Sequence, residues 1–361
     1  MRLELRRRGT PSPLFQIVSP LIALGLTVVF GSLLFLAVGK SPAAALHAYF
    51  IAPLSEVWSV HELLVKATPL VLIGCGLALA FRSANWNIGA EGQFVIGGIA
   101  GAVIPVSFPD LSSPVLLPLV LLCGLAGGAA YAAIPAFLKT RFGANEILTS
   151  LMLVYVAALL LDWLVRGPWR DPSGYGFPGT RSFDGSALLP DIVPTGAFGG
   201  SAHYGFVLAI LAVLVTGIMA GRTLKGFEIA VVGEAPRAGR FAGFSAARTT
   251  MFVFLLSGGL AGLAGIVEVT GNVDKLDEKL SLGYGFSAII VAFLGRLNPY
   301  GILAAGLLLA LSYLGGEAAQ ISIGVSDKIA AVFQGMLLFL VLATDTLIHY
   351  RIVFHRETEA A

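Results

Sequence analysis

The sequence predicts an all-α, polytopic membrane protein of about ten transmembrane helices, some broken or re-entrant. Three observations predict it. Only 12% of the residues are charged, about half the share found in soluble domains. The mean hydropathy is +0.86. Apolar runs long enough to cross a hydrocarbon core of roughly 30 Å recur along all 361 residues. The 44 glycines fit the close approach of membrane helices. No stretch is left for a soluble domain, so residues 1–361 read as one transmembrane domain.

A cationic segment, 1–14, precedes a first span near 15–38, which is too long for the apolar part of a signal peptide. Residues 39–62 are expected to hold a short helix lying on the membrane, Pro42–Pro53. Further spans are expected near 63–81, 90–106, 115–137, 146–165, 204–221 and 249–270, then a short one at 284–295, and two more at 300–322 and 328–348. Residues 166–203 carry eight Gly and five Pro, so an irregular outer loop is expected there. Residues 222–248 form a long loop and 349–361 a tail. A span, a polar break and a short Gly-rich span occur at 63–106 and again at 249–295. Two readings of this stand side by side: a repeat of the kind that builds transport pathways, and the plain similarity of Gly-rich helices.

Placing the N-terminus in the cytoplasm leaves fifteen Lys and Arg on inner segments and eight on outer ones. This satisfies the positive-inside rule and puts both termini inside.

Catalytic chemistry finds little to stand on. The five histidines are scattered, without carboxylate or Cys at ligand spacing, so no metal site is expected. Cys75 and Cys123 lie in apolar runs and read as packing. His61-Glu62 has Val65 where a zinc protease needs its second His, and Gly39-Lys40-Ser41 lacks the first Gly of a phosphate loop. Neither catalysis nor a cofactor is expected of this chain.

The segment 81–93 packs Asn85, Trp86, Asn87, Glu91 and Gln93 between apolar runs. Polar irregular backbone at that depth requires burial in protein or a wet cavity, and Glu91 there is costly without a function or a partner. One reading is a broken helix near the inner mouth of a pathway; the other is an interfacial turn whose polar groups cap helix ends. Asn145 opens a span and reads either as an N-cap or as part of the pathway. Gly97/Gly101 and Gly258/Gly262 are spaced for close helix packing.

The loop 222–248 holds Arg222, Lys225, Arg237, Arg240 and Arg248 against Glu228 and Glu234. From Glu234 onward it reads as a short helix with Pro236 in its first turn and Gly243 at its end. Arg237 and Arg240 share a face. Attraction to anionic lipid would explain the charge. It would not explain a Glu-Ala start and a terminal Gly, so docking of a soluble partner is the better account.

With those residues in view, Glu234, Ala235, Arg237, Arg240 and Gly243 resemble the coupling helix of ABC-importer permeases. NIGAEGQ (87–93), GANEILTSLML (143–153), VGEAPRAGRFAG (232–243) and GYGFSAIIVAFLGRLNP (283–299) resemble the branch holding ribose and branched-chain amino acid permeases, and within it the bacterial nucleoside or "simple sugar" permeases. The resemblance covers about 60–348. It implies a permease subunit in the bacterial cytoplasmic membrane, with two cytoplasmic ATPase subunits that bind the ATP. It also implies a second permease subunit, homologous or identical, and an extracytoplasmic substrate-binding protein; no nucleic acid is involved. A nearly uncharged pathway suits a neutral polar solute such as a nucleoside, with ribose or another simple sugar as the alternative. An ion-coupled secondary transporter is the competing class. It would want ionisable groups in mid-span, whereas Asp162, Glu268, Glu317 and Asp345 fall near expected span ends.

Overall fold

The computed structural model describes residues 2–7, 13–192, 202–280, 283–326, 328–329, 331–333, 335–336, 339–340, 343–344 and 350–355. The chain divides into two compact units, one of residues 57–310 and one of residues 1–56 with 311–361.

In the second of these, strand β1 (Arg2–Arg7) pairs antiparallel with β2 (Tyr350–His355), Arg2 opposite His355 and Arg7 opposite Tyr350. This ribbon departs from the all-helical expectation; Leu3, Leu5, Ile352 and Phe354 alternate with other residues at the period of two that strands require. Helix α1 (Pro13–Ala37) is followed by α2 (Pro42–Phe50) and α3 (Ala52–Ser55). The expected surface helix is therefore two pieces, broken at Ile51 ahead of Ala52-Pro53. Gly39, at φ +74, ends the first span as only a residue at ease in the left-handed region does. Tyr49, Phe35 and Phe333 form the aromatic core of this unit, with the rings of Tyr49 and Phe333 4.4 Å apart.

The larger unit contains α4 (Val57–Arg82), α5 (Ala90–Ser107), α6 (Leu116–Phe142), α7 (Glu146–Arg166), α8 (Gly205–Arg222), α9 (Leu224–Glu234), α10 (Pro236–Phe241), α11 (Ala246–Glu268), α12 (Tyr284–Leu294) and the start of α13 (Pro299–Ile323). A π-helical turn, Val269–Val273, extends α11. Among the described residues seven helices are long and apolar enough to cross a membrane: α4, α5, α6, α7, α8, α11 with its extension, and α13. The expected count of ten exceeds this. At 11 residues α12 rises only about 16 Å, half the hydrocarbon thickness, and the expected span at 328–348 lies partly outside the described residues.

Helix α4 is buried along most of its length, and α11 packs on α4, α5 and α6. Glycine makes this possible. A Cβ at Gly97 would stand 2.1 Å from Gly262 Cα, and one at Gly258 2.2 Å from Ala132 Cβ. The backbones of α5, α6 and α11 thus approach as the spaced glycines predict, close enough for dispersion contacts to accumulate without a hydrophobic driving force. The loop between α7 and α8 is irregular over most of its described part, and hydrogen bonds from Thr180 to Leu276, Phe183 to Asp274 and Leu189 to Thr270 tie it to the segment after α11.

Candidate functional site

The turn between α4 and α5, with the first turn of α5, gathers five of the six expected pathway residues. Its backbone folds back on the end of α4 through Ser83 N–H to Ala80 O and Asn85 N–H to Ala80 O. The Asn85 amide donates to Ser83 Oγ (2.8 Å), while its oxygen accepts from Lys139 Nζ (2.8 Å) and Thr250 Oγ1 (3.0 Å). One side chain therefore joins the ends of α4 and α6 to α11. Lys139 also pairs with Glu146 at 2.5 Å, which ties α6 to α7. Asn87 and Gln93 exchange two amide hydrogen bonds, 2.8 and 2.9 Å, and Asn87 donates a third to Ser257 Oγ at 3.0 Å.

Glu91 accepts from the backbone N–H groups of Gly283 (2.9 Å) and Gly285 (2.6 Å). Its carboxylate sits on the N-terminus of α12, where unpaired donors and the helix dipole both favour an anion. A Cβ at Gly285 would lie 2.2 Å from the Glu91 nitrogen, so only glycine lets the two helix starts meet. Helix α12 thus begins inside the protein, against the backbone of α5, where its first N–H groups need a protein acceptor.

Asn85, Asn87, Glu91 and Gln93 are all at most 2% exposed. Their hydrogen bonds run inward, to neighbouring helices. Trp86 differs: it is 40% exposed, packs tilted against Phe81 at a ring distance of 5.2 Å and stacks with Phe293 at 6.1 Å. Asn145 stands apart from the cluster and caps α7, accepting from Ile147 N–H (2.9 Å) and Leu148 N–H (3.3 Å). The sequence singled out the acceptor Glu91 but not its donors, and it missed Lys139, Thr250 and Ser257. The one available signal was GYGF (283–286), whose glycines stand where a helix starts against another backbone.

The long loop folds as two helices. Thr223 caps α9, its hydroxyl accepting from Gly226 N–H at 3.1 Å. The short helix begins at Pro236, not at Glu234, which instead closes α9. A residue before proline avoids the helical region, and Ala235 accordingly adopts φ −140, ψ 67 and separates the two helices. The end is as expected: Gly243 is at φ +83 and donates to Arg240 O, and Phe244 donates to Gly239 O.

Helix α9 is fixed to the spans beneath it. Thr249 of α11 donates its hydroxyl to Glu228, Lys225 pairs with Glu228 at 2.9 Å, and the Lys225 ammonium lies 4.9 Å from the centre of the Phe252 ring. Desolvation pushes the Glu228 carboxyl up, but Thr249 and Lys225 outweigh it and hold the group below the usual carboxylate range. A Cβ at Gly233 would come within 2.1 Å of Arg82 O, so the end of α9 rests on the end of α4. Beyond it Glu234, Ala235, Arg237, Arg240 and Gly243 are exposed, with Phe241 94% exposed. The arrangement is an anchored helix carrying a short projecting one, beside a buried polar corner.

Comparison with known proteins follows from the same regions. The family described as branched-chain amino acid transport system / permease component matches residues 59–342. The glucose ABC transporter permease protein TsgB13 of Haloferax volcanii is 33% identical, over 98% of this chain and 94% of that one. The nucleoside ABC transporter permease protein NupB of Lactococcus lactis is 29% identical over 90% of each chain. The guanosine ABC transporter permease protein NupP of Bacillus subtilis is 29% identical, over 92% of this chain and 94% of that one.

Proposed function

Since the chain belongs to the branched-chain amino acid transport system / permease component family, we propose that it forms the pathway of an ATP-driven importer whose solute is a nucleoside. As a permease of this family it is a multi-pass membrane transport subunit, not an enzyme, and works with ATPase and substrate-binding subunits.

The observation that carries the coupling reading is the contrast within the long loop. Helix α9 is bonded to α11 and rests on α4 at Arg82, while Arg237, Arg240 and Phe241 project from α10. In this reading two cytoplasmic ATPase subunits hold the projecting helix, both termini face the cytoplasm, and a second permease subunit completes the membrane part. ATP-driven closure of the ATPase pair displaces α9, and the Gly233–Arg82 contact passes that displacement to the turn 83–89. There Asn85, Lys139 and Glu146 bind α4, α6, α7 and α11 into one corner, so the spans rock together. In this reading Asn85, Asn87, Glu91 and Gln93 brace the inner mouth from within the packed helices, and Trp86 presents a ring to it.

A nucleoside suits this mouth because an aromatic face stacks on a base without requiring charge. The names of two relatives, a nucleoside and a guanosine permease, support it. A hexose is the second reading, favoured by the glucose permease that is 33% identical. Uptake of labelled guanosine, adenosine, ribose and glucose in source cells with and without the gene separates them. Loss of nucleoside uptake on deletion, restored by the intact gene, supports the first reading; loss of sugar uptake alone replaces the cargo. Accumulation that survives ATP depletion but not collapse of the ion gradient would sink the importer reading.

A further inference from the structure

By its place in the sequence Glu268 belongs near the end of a span, where water would hold its charge. The structure buries it: Glu268 is 2% exposed within the span formed by α11 and its π-helical extension. Its Oε1 accepts from the Asn272 amide at 2.7 Å. Two charged groups of α4, Lys66 and Glu62, lie within electrostatic reach of the carboxylate. Helix geometry brings them level. A Cβ at Gly76 would stand 2.7 Å from Ser257 Cα, which fixes where α4 meets α11. Counting from that contact toward the same end of the two helices, Lys66 lies about 15 Å along α4 and Glu268 about 16 Å along α11. The rim of this cluster is more open than its floor, for Lys66 and Glu62 are half-buried and Asn272 is exposed. Other titratable groups nearby face elsewhere. Asp274 lies in the field of Asp191 and Lys275 in that of Asp171, while His203 packs on Gly271 and bonds to Gly205. The backbone itself departs from the α-helix here, with Asp274 N–H donating to Val269 O at 2.8 Å to close the π-turn. Such turns recur at functional sites.

A carboxylate buried between membrane helices is costly and marks a functional site more often than a structural one. Stability alone is a weak reason to keep it beside Lys66, since apolar residues of the same volume hold helices together as well. The chemistry present selects a ligand. Two carboxylates repel an anion, and the Lys66 ammonium among them repels a cation. A neutral vicinal diol fits, because its hydroxyls donate to a carboxylate and accept from an ammonium or an amide. Asn272 spends one amide N–H on Glu268, which leaves its second N–H and its oxygen to such a ligand. We infer that Glu268, Asn272 and Lys66 form a solute site in the outer half of the membrane, and that this site takes the vicinal diol of a nucleoside's ribose or of a hexose. The inference rests on the importer reading and its inside–outside assignment, and names the part of the solute that the permease reads.

The test uses the assembled importer, purified through a tag on this chain and held in nanodiscs without binding protein. Equilibrium dialysis measures labelled guanosine, 2′-deoxyguanosine, glucose and 3-deoxyglucose on the wild type, Asn272→Ala and Glu268→Gln. The wild type should bind guanosine or glucose at least about tenfold more tightly than the matching deoxy analogue. Which of the two it binds identifies the source of the diol. In each variant that preference should shrink by about fivefold or more. Affinity for the analogue should stay unchanged, because the analogue already lacks the hydroxyl. Asn272 is exposed, so Asn272→Ala decides the matter where Glu268→Gln fails to assemble. An equal loss for a solute and its analogue marks a packing role and overturns the site, as does wild-type binding without the preference. A wild type that binds neither solute, in cells whose uptake still depends on the gene, overturns the site alone. Absence of both binding and gene-dependent uptake overturns the importer reading along with it.

Discussion

Two backbone N–H groups, of Gly283 and Gly285, point at the Glu91 carboxyl group inside the protein. Glu91→Ala deprives both donors of this acceptor, at about 1–3 kcal/mol for the buried one, Gly285. We expect the purified chain to unfold at a clearly lower temperature and uptake to fall at least about tenfold, with Glu91→Gln, which keeps an acceptor oxygen, in between. A Glu91→Ala protein that melts like the wild type would remove the cap from this account. His203 offers a pH test outside the spans. Its Nδ1 accepts from Gly205 N–H at 3.1 Å, and burial pushes its pKa down to about 4 against a partial offset from Asp191. The folded protein therefore holds a neutral imidazole. Its stabilising effect is complete above the unfolded value near 6.5 and is lost as pH falls from there toward 4, on the order of 3 kcal/mol in all. Melting temperature followed from pH 7 to 4 should drop through this window, and His203→Gln should flatten that part of the curve. Residue types told half of this story. Glu91 stood out in the sequence as a carboxylate at membrane depth, but its donors lie some 190 positions away and are backbone groups, which leave no mark in a sequence.

At the scale of elements, the proposed coupling makes α9 and α10 a lever. Arg237→Ala/Arg240→Ala removes exposed charges and should leave folding and membrane levels intact. Uptake should fall about tenfold or more if these residues bind an ATPase; full uptake at normal expression would free α10 from that role. Gly233→Val tests the other end. Its side chain would collide with Arg82 O, forcing α9 away from α4, and we expect uptake to fall while ATP hydrolysis by the assembled importer persists uncoupled. The seam of α5, α6 and α11 behaves differently, because Gly97→Val meets the Gly262 backbone and should destabilise the whole unit by about 1–3 kcal/mol or more. Much of this scale was legible. The ends of α5, α7 and α13 fall close to where hydropathy put them, and Pro236 and Gly243 marked α10. The start of α10 was not, because the proline that admits a first turn also expels its predecessor from the helix.

Across the whole molecule, the chain belongs to a permease family whose members carry different cargoes, and the relatives named for glucose and for nucleosides are nearly equal in identity. Overall similarity therefore cannot rank the solutes, and the labelled-uptake comparison decides. The sequence by itself determined that this is a helical membrane protein and where most of its long spans run. Those properties follow from composition and from periodicities a few residues long, which the solvent reads locally. It did not determine that Asn85, Asn87, Glu91 and Gln93 would spend their hydrogen bonds on Lys139, Thr250, Ser257 and two glycines. Nor did it show that α12 would begin inside the protein. Each of these depends on which distant backbones come within hydrogen-bonding reach, and only the packed helices set that.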